Sequence, residues 1–253
     1  LLEVHVLASG SDGNCTVIQC DDHAVMIDAG ISCRRITSLM DTAGIDGSVI
    51  GALLLTHEHT DHVSGAGATA RKLGIPVMCN ECTFCQCGLG PVEYIPIRTL
   101  GSFDVGPMRI TPLPISHNAV EPNAFVVEAD GRTALLATDT GKVTFQVEHA
   151  LSRADIAVIE ANYDMNMLME GPYPPSLKRL IGSEVGHLSN VECGAAIKRT
   201  DHEGRQIFLA HMSKKNNTTD IAKDTVSEIT GIKRFRLDCL EPGVRNDTRT
   251  LRA

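Results

Sequence analysis

The segment LLLTHEHTDHVSG, residues 53–65, places three histidines and an aspartate (His57, His59, Asp61 and His62) within six positions. Imidazole nitrogens and carboxylate oxygens are the ligands of zinc and related divalent ions. Four apolar or β-favouring residues precede the cluster, and Val63, Ala66, Ala70 and Leu73 follow it at roughly helical spacing. The motif is therefore expected where a buried strand ends and a helix begins. A histidine-rich loop or a helix cap, with Asp61 satisfying backbone N–H groups, is the alternative for such a segment standing alone. Three further residues of ligand type argue against it. His117 follows PLPIS, Asp139 closes LLATD and His211 follows IFLA, each at the exit of an apolar run. One such residue would be read as a cap or turn former. With the first motif they make seven candidate ligands, enough for two metal ions sharing one carboxylate. That arrangement clamps the attacking and leaving oxygens of a displacement and lowers the pKa of a bridging water toward neutrality.

The elements that must carry these residues alternate along the chain. EVHVLA, CTVIQC and AVMIDAG read as short strands, a helix is expected over Ile36–Ala43, and ALLLT leads into the histidine motif. GPMRITPLPIS reads as a strand interrupted by prolines, hence edge or irregular. AFVVEADGRTALLATD is a hairpin turning at Asp130-Gly131. A helix around 142–151, the buried strand IAVIEA, a proline-rich loop GPYPP, a helix over 190–200, the strand QIFLA, a helix through Ile221, Val226 and Ile229 and a closing strand IKRFRLD complete the order. Two successive halves of strands and helices favour a layered α/β domain with two sheets inside and helices outside.

At 253 residues the chain is expected to bury one core as a single domain over 1–253. Hydrophobic residues at 43% and charged residues at 21% are ordinary for a soluble globular protein. No apolar run is long enough to span a membrane, and no basic-then-apolar leader opens the sequence, whose first residue is Leu1. Nine scattered cysteines in a chain of this length point to a reducing cytoplasm rather than to a disulfide scaffold. A formal charge of −8 excludes a generally basic nucleic-acid binder, but bound divalent ions would supply positive charge where a phosphate sits.

HEHTDH matches the HxHxDH motif of the metallo-β-lactamase superfamily, and His117, Asp139 and His211 stand in order at its later ligand positions. The resemblance implies the αββα four-layer sandwich. It also implies one metal on His57, His59 and His117, a second on Asp61, His62 and His211, and Asp139 bridging them. EVGHLSNVECGAAI, followed by IFLAHMSKKNN, is similar to the phosphodiesterase branch that includes the tRNA 3′-processing nuclease, where His187 would be the extra histidine facing phosphate. LASGSDGN, IDAG, YPPSLKRLIG and GHLSN resemble the YycJ (WalJ)-type exonuclease group along nearly the whole chain. What this implies is a dinuclear zinc- or manganese-dependent phosphodiesterase, a 5′-to-3′ exonuclease acting on DNA rather than RNA through a metal-bridging hydroxide. Asp61 would orient the hydroxide and His187 would contact phosphate or protonate the leaving oxygen. The chain has no room for the extra β-CASP domain of some nucleases, and Tyr163 stands where many relatives are expected to carry His.

Other activities remain open on the same fold: hydrolysis of a small cyclic phosphodiester, of a thioester or of a lactam. A di-iron redox module is disfavoured, because such relatives replace the second histidine of the motif with Glu and position 59 is His. Among smaller features, Ser9, Ser11 and Asn14 of ASGSDGN are expected beside phosphate, although a plain hairpin loop would explain its glycines. Asn162, Lys214, Lys215 and Asn216 offer donors near His211, the alternative being a solvated loop. Cys79, Cys82, Cys85 and Cys87 could supply thiolates, but their spacing is not that of paired CxxC units, and surface-helix or partly buried cysteines are expected. His5, His23, His149 and His202 have no ligand-like setting and are assigned structural or solvent-exposed roles.

Overall fold

A computed structural model describes residues 1–241 and 248–253. The first half supplies β1 (Leu2–Ala8), β2 (Cys15–Cys20), β3 (His23–Ile27), β4 (Ile50–Leu54), β5 (Val77–Cys79) and β6 (Tyr94–Pro96). The second supplies β7 (Phe103–Val105), β8 (Met108–Pro114), β9 (Asn123–Ala129), β10 (Arg132–Ala137), β11 (Ile156–Glu160), β12 (Gln206–Ala210) and β13 (Leu237–Cys239), and β14 (Arg249–Arg252) follows. They form two seven-stranded sheets, ordered β14-β1-β2-β3-β4-β5-β6 and β13-β12-β11-β10-β9-β8-β7. Read from β14 in one sheet and from β7 in the other, the pairings follow one pattern, three antiparallel and then three parallel. The two halves thus share a topology that no repeat in the sequence announces.

Alternation along the strands makes the layers. In β4, Ala52 and Leu54 enter the core between the sheets, whereas Leu53 faces outward with Leu55. In β11, Ile156 and Val158 point inward, Ala157 and Ile159 outward, so both faces are buried and the run is continuously apolar. The helices are α1 (Cys33–Ala43), α2 (Thr60–Val63), α3 (Ala66–Leu73), α4 (Glu81–Cys87), α5 (Phe145–Leu151), α6 (Met165–Glu170), α7 (Pro175–Ile181), α8 (Asn190–Arg199) and α9 (Thr219–Thr230). Helices α1 and α3 close the outer face of the first sheet through Leu39, Met40 and Ala70. Helices α5, α8 and α9 close that of the second through Leu151, Ala196 and Val226. The result is the αββα sandwich.

Several elements depart from expectation. The proline-bearing strand β8 lies inside its sheet, but β7 reaches only Ile110, so Pro112 and Pro114 pair with β9 alone and need no donor on the other side. IKRFRLD is only partly a strand. Arg234–Arg236 form a 3₁₀ turn and Phe235 is exposed, because only Leu237 and Cys239 offer a face to bury. The proline-rich loop is flanked by two short helices, α6 capped by Asp164, which accepts from the Met167 amide at 2.9 Å, and α7 with proline in its first turn. Strand β14 closes against β1 from the far end of the chain.

Candidate active site

The parallel strands of both sheets end at one rim, and the residues just past them converge there. Asp28 follows β3, His57 follows β4, Asp139 follows β10, Glu160 ends β11 and His211 follows β12. Asp28, Asp139 and His211 adopt left-handed backbone with φ of 59°, 55° and 53°. For residues with a Cβ this costs about 1–2 kcal/mol each, a strain that recurs at functional sites. The turn is what swings each side chain out of the sheet toward the others. His57 is followed by the single turn of α2, where the His62 amide donates to the His59 carbonyl at 2.9 Å and Asp61 faces the cluster.

Three groups of ligand-type atoms result, each with its atoms within 4.8 Å of one another: His57, His59 and His117; Asp61, His62, Asp139 and His211; and Asp139, Glu160, His187 and His211. His117 Nε2 lies 3.3 Å from His59 Nδ1 and 3.7 Å from Asp139 Oδ1. His211 Nε2 lies 3.4 Å from Asp61 Oδ2 and 3.5 Å from Asp139 Oδ1. Asp139 therefore borders both the His57 group and the Asp61 group.

The Nδ1 atoms of four of these imidazoles are engaged by the protein. His62 Nδ1 lies 2.6 Å from Asp28 Oδ2, His57 Nδ1 2.9 Å from Thr56 Oγ1, His117 Nδ1 3.0 Å from the Gly186 carbonyl and His211 Nδ1 2.9 Å from Glu160 Oε1. Thr56 in turn donates to Asp28. Such outer partners fix the tautomer and ring orientation of metal-ligating histidines. The third group is different in kind, because Glu160 Oε1 also takes His187 Nδ1 at 2.8 Å. With both imidazoles bound there, Glu160 acts as a brace, and Nε2 of His187 is left for the cleft.

The inner atoms fit a cation. His57 is wholly buried and its Nε2 has no hydrogen-bond partner. Asp139 Oδ2 lies 3.0 Å from His62 Nε2 yet makes no hydrogen bond. Buried polar atoms are ordinarily paired; His57 and Asp139 each belong to a group of ligand-type atoms in which a bound cation would satisfy them.

Electrostatics agree. Burial, helped by His62, holds the His57 pKa well below its usual value, so it is neutral and ligand-competent. Burial likewise lowers His117. Burial also opposes charge on His211, but Asp139, Asp61 and Glu160 outweigh it and raise its pKa to about 10. Burial is overcome in the same way at His62 by Asp139 and Asp28, and at His187 by Glu160 and Asp139. Both Asp61 and Asp139 resist burial and stay ionised because His211 and His62 stabilise their charge. The cluster is an acid-rich basin in which protons stand where cations would bind.

Above it opens a cleft of ≈ 240 Å³ lined by His59, Asp61, His117, Asp139, His187 and His211, with Ser11 and Asn118 at the rim and Leu177, Leu180, Ile181 and Val185 beside them. Of the remaining expected contacts, Lys214 and Lys215 are exposed, and Lys214 pairs with Asp12. The others point elsewhere. Ser9 Oγ accepts from the His211 amide at 2.8 Å, Asn14 takes the Gly10 amide at 2.9 Å and approaches His62, and Asn162 donates to the His211 carbonyl at 2.7 Å. Asn216 is fully buried against Gly171. Ser9, Asn14 and Asn162 thus brace the site from behind. Tyr163 is also buried, packed with Leu168 and Ile181. In α4, Cys82 and Cys85 are exposed while the Cys87 thiol donates to the Thr83 carbonyl. His5 is buried with Nδ1 2.9 Å from Thr250 Oγ1, and His23 and His149 are exposed.

Sequence reasoning passed over Asp28, Thr56 and Glu160 as site residues. The two acids carry the signal used for Asp139, a polar residue closing an apolar strand, in MIDAG and VIEA.

A family model described as a beta-lactamase superfamily domain matches residues 23–212. The chain belongs to the metallo-β-lactamase superfamily. It is 35% identical over 241 residues to exodeoxyribonuclease YycJ of Bacillus anthracis, covering 92% of this chain and 91% of that protein. It is 36% identical over 234 residues to exodeoxyribonuclease WalJ of Streptococcus pneumoniae serotype 2 strain D39, covering 87% and 85%. These relatives support membership of the YycJ (WalJ)-type group within the superfamily. The crystal structure of the metallo-β-lactamase fold protein YhfI from Bacillus subtilis superposes with a TM-score of 0.75 at 17% identity, covering 98% of this chain and 99% of that one, a likeness of fold. No helix among the described residues is long and apolar enough to cross a membrane.

Proposed function

We propose that the protein is a metal-dependent exodeoxyribonuclease that binds two divalent ions, zinc or manganese, and degrades DNA from the 5′ end. The observation that carries the reading is His187. It lines the cleft beside the ligand cluster, and Glu160 holds its Nδ1 and raises its pKa, so that a proton is retained at Nε2. An imidazolium in that position suits protonation of an alkoxide leaving group from a phosphodiester. The identity to two exodeoxyribonucleases over most of the chain supports the same substrate class.

In this reading His57, His59 and His117 hold one ion, Asp61, His62 and His211 the other, and Asp139 spans both. Bound there, the ions would neutralise phosphoryl oxygens and make water nucleophilic near neutral pH. The chain's own residues do the rest. Asp61, 24% exposed in its side chain, orients the attacking water through its carboxylate. His187 gives its Nε2 proton to the departing oxygen. Glu160 stays ionised against its burial because His187 and His211 stabilise its charge, and so keeps the His187 proton in place. Ser11, Lys214 and Lys215 contact flanking phosphates, while Ser9, Asn14, Asn162 and Asn216 hold the loops that position His62 and His211. A reducing cytoplasm is the compartment we assign, supported by nine free cysteines.

End-labelled single- and double-stranded DNA and RNA, incubated with the protein and manganese, zinc or magnesium, test this directly. Stepwise release of mononucleotides from a 5′-labelled DNA strand is expected. Release from the 3′ end reverses the polarity, and no product from any nucleic acid overturns the reading.

A further inference from the structure

Five of the twelve exposed large hydrophobic side chains among the described residues fall within 165–185, and three of them, Leu177, Leu180 and Val185, line the metal-ligand cleft. They are 37%, 41% and 44% exposed, a concentrated apolar wall beside the most polar cluster of the molecule. We propose that this wall receives the unpaired base of the nucleotide being removed, by contact alone and without reading its hydrogen-bonding edges. The inference rests on the nuclease reading above and names how that substrate is seated.

The division of the cleft argues for it. None of its lining side chains is Lys or Arg, so its positive charge can come only from bound cations and the histidines, and phosphate must seat at that end. The other end offers aliphatic surface. A nucleotide has the matching asymmetry, an anionic phosphate joined to a base with apolar faces. The wall presents no side-chain donor or acceptor, so every base fits alike, as suits an enzyme that takes successive nucleotides of any sequence. The cleft, at ≈ 240 Å³, is below the ~300–1,000 Å³ of pockets that enclose drug-sized ligands, a size suited to the end of a strand. The base enters unstacked, at a cost that is least for a base already single-stranded.

The wall is also fixed to the chemistry. Ile181 anchors α7 against buried Tyr163 and Leu168. The His187 amide donates to the Ile181 carbonyl at 2.8 Å, and the Gly186 carbonyl holds His117 at 3.0 Å. Base surface, leaving-group acid and metal ligand are thus one rigid unit.

The test is a cycle of two changes, an abasic terminal nucleotide in the DNA and the double substitution Leu177→Ser with Leu180→Ser, read as kcat/KM with manganese. The wild type is expected to lose about tenfold on the abasic end, mostly in KM as for uniform binding. The variant should show the same loss on intact DNA and less than about twofold further loss on the abasic end. Leu177→Met with Leu180→Met should restore the intact-DNA rate. Metal content and thermal melting of each variant report folding. Equal wild-type rates on intact and abasic ends overturn the proposal without recourse to any variant. So does a variant whose loss multiplies with the abasic loss. A metal-loaded wild type that cleaves no DNA at all fails the nuclease reading itself, and the wall proposal with it.

Discussion

Glu160 Oε1 stands 2.8 Å from His187 Nδ1, and the same oxygen stands 2.9 Å from Nδ1 of His211. One buried carboxylate therefore braces a histidine proposed as a metal ligand and the histidine proposed as acid. Its consequences differ for the two. At His211 it fixes the tautomer that presents Nε2 inward, and at His187 it holds a proton. Glu160→Gln keeps the volume and removes the charge, so kcat is expected to fall about 10- to 100-fold, the range for such outer partners. The pH profile carries the sign. Glu160 raises the His187 pKa, so activity in the wild type declines only as pH climbs through that raised value. In the variant the decline should begin at lower pH. An unshifted alkaline limb in kcat/KM would remove Glu160 from the proton path.

His187 and His211 should respond differently to truncation. His211→Ala opens the inner ring, so metal content and activity are expected to fall together. His187→Ala keeps every inner nitrogen, so metal content should hold while turnover drops about 10²- to 10⁴-fold, as for loss of a positioned acid. The deficit should shrink on a nitrophenyl phosphodiester, whose leaving oxygen needs no proton. Loss of metal from the His187 variant, measured by elemental analysis, would assign it as a ligand instead.

Metal uptake should displace protons. In the metal-free protein the His211 pKa is raised from 6.5 to about 10, and that of His62 is raised as well, so both are protonated at neutral pH. A metal ligand must be neutral, so loading at neutral pH is expected to release about two protons per chain, detectable with an indicator dye. The stability of the metal-free protein follows by linkage. The His211 contribution is fully present below pH 6.5 and is lost as pH rises through about 10. Metal-free protein should therefore melt progressively lower across that window. The gain in melting temperature on adding metal should grow over the same range, and a gain independent of pH would contradict the assignment.

That these side chains come together was legible because a polar residue closing an apolar strand is rare enough to notice; His117, Asp139 and His211 all carry that mark. Asp28 and Glu160 carry it too, but nothing in linear spacing says whether a strand-end carboxylate faces a cation or braces a histidine. That depends on which side of a histidine the strand end meets. Asp28 and Asp139 share left-handed backbone, yet one lies at His62 Nδ1 and the other at its Nε2, a tertiary relation that leaves no pattern in residue type. The donors assigned to substrate from SKKNN, ASGSDGN and EANYD show the same limit. Their chemistry was readable, but burial turned Asn14, Asn162 and Asn216 inward. Strands β5, β6 and β7 have three residues each, too few for alternation to register. Strand β14 is charged at both ends, and its pairing with β1 joins opposite ends of the chain.

The clustered cysteines offer a check on what lies outside the site. Cys82 and Cys85 are exposed on α4. Cys82→Ser with Cys85→Ser is expected to leave metal content, melting temperature and nuclease activity within error of wild type. The wild type should give two thiols that react rapidly with a disulfide reagent, while Cys15 and Cys193 stay unreactive because burial raises their pKa. Loss of a metal equivalent from the double variant would reveal a site in that cluster.

Gly186 joins the apolar wall to the ligands, and its missing side chain is what permits the joint. A Cβ there would fall 2.0 Å from the Leu180 carbonyl oxygen and 2.3 Å from that of Ile181, both backbone atoms that cannot move alone. Gly186→Ala must therefore push α7 away from the loop that carries His187 or shift that loop itself. Either movement disturbs the Gly186 carbonyl that orients His117 and the His187 amide bound to Ile181. Overpacking of this kind costs about 1–3 kcal/mol, so the variant should remain folded with a lowered melting temperature. Affinity for the ion on His57, His59 and His117 is expected to weaken, and kcat to fall more than His117 misplacement alone explains, because the acid moves with it. Ser183→Ala, three residues earlier, removes a hydroxyl that donates to the same Leu180 carbonyl at 2.8 Å without adding bulk, and serves as the control. If Gly186→Ala leaves metal affinity and kcat unchanged while lowering only the melting temperature, the loop is packing without positioning, and the coupling between wall, acid and ligand is broken.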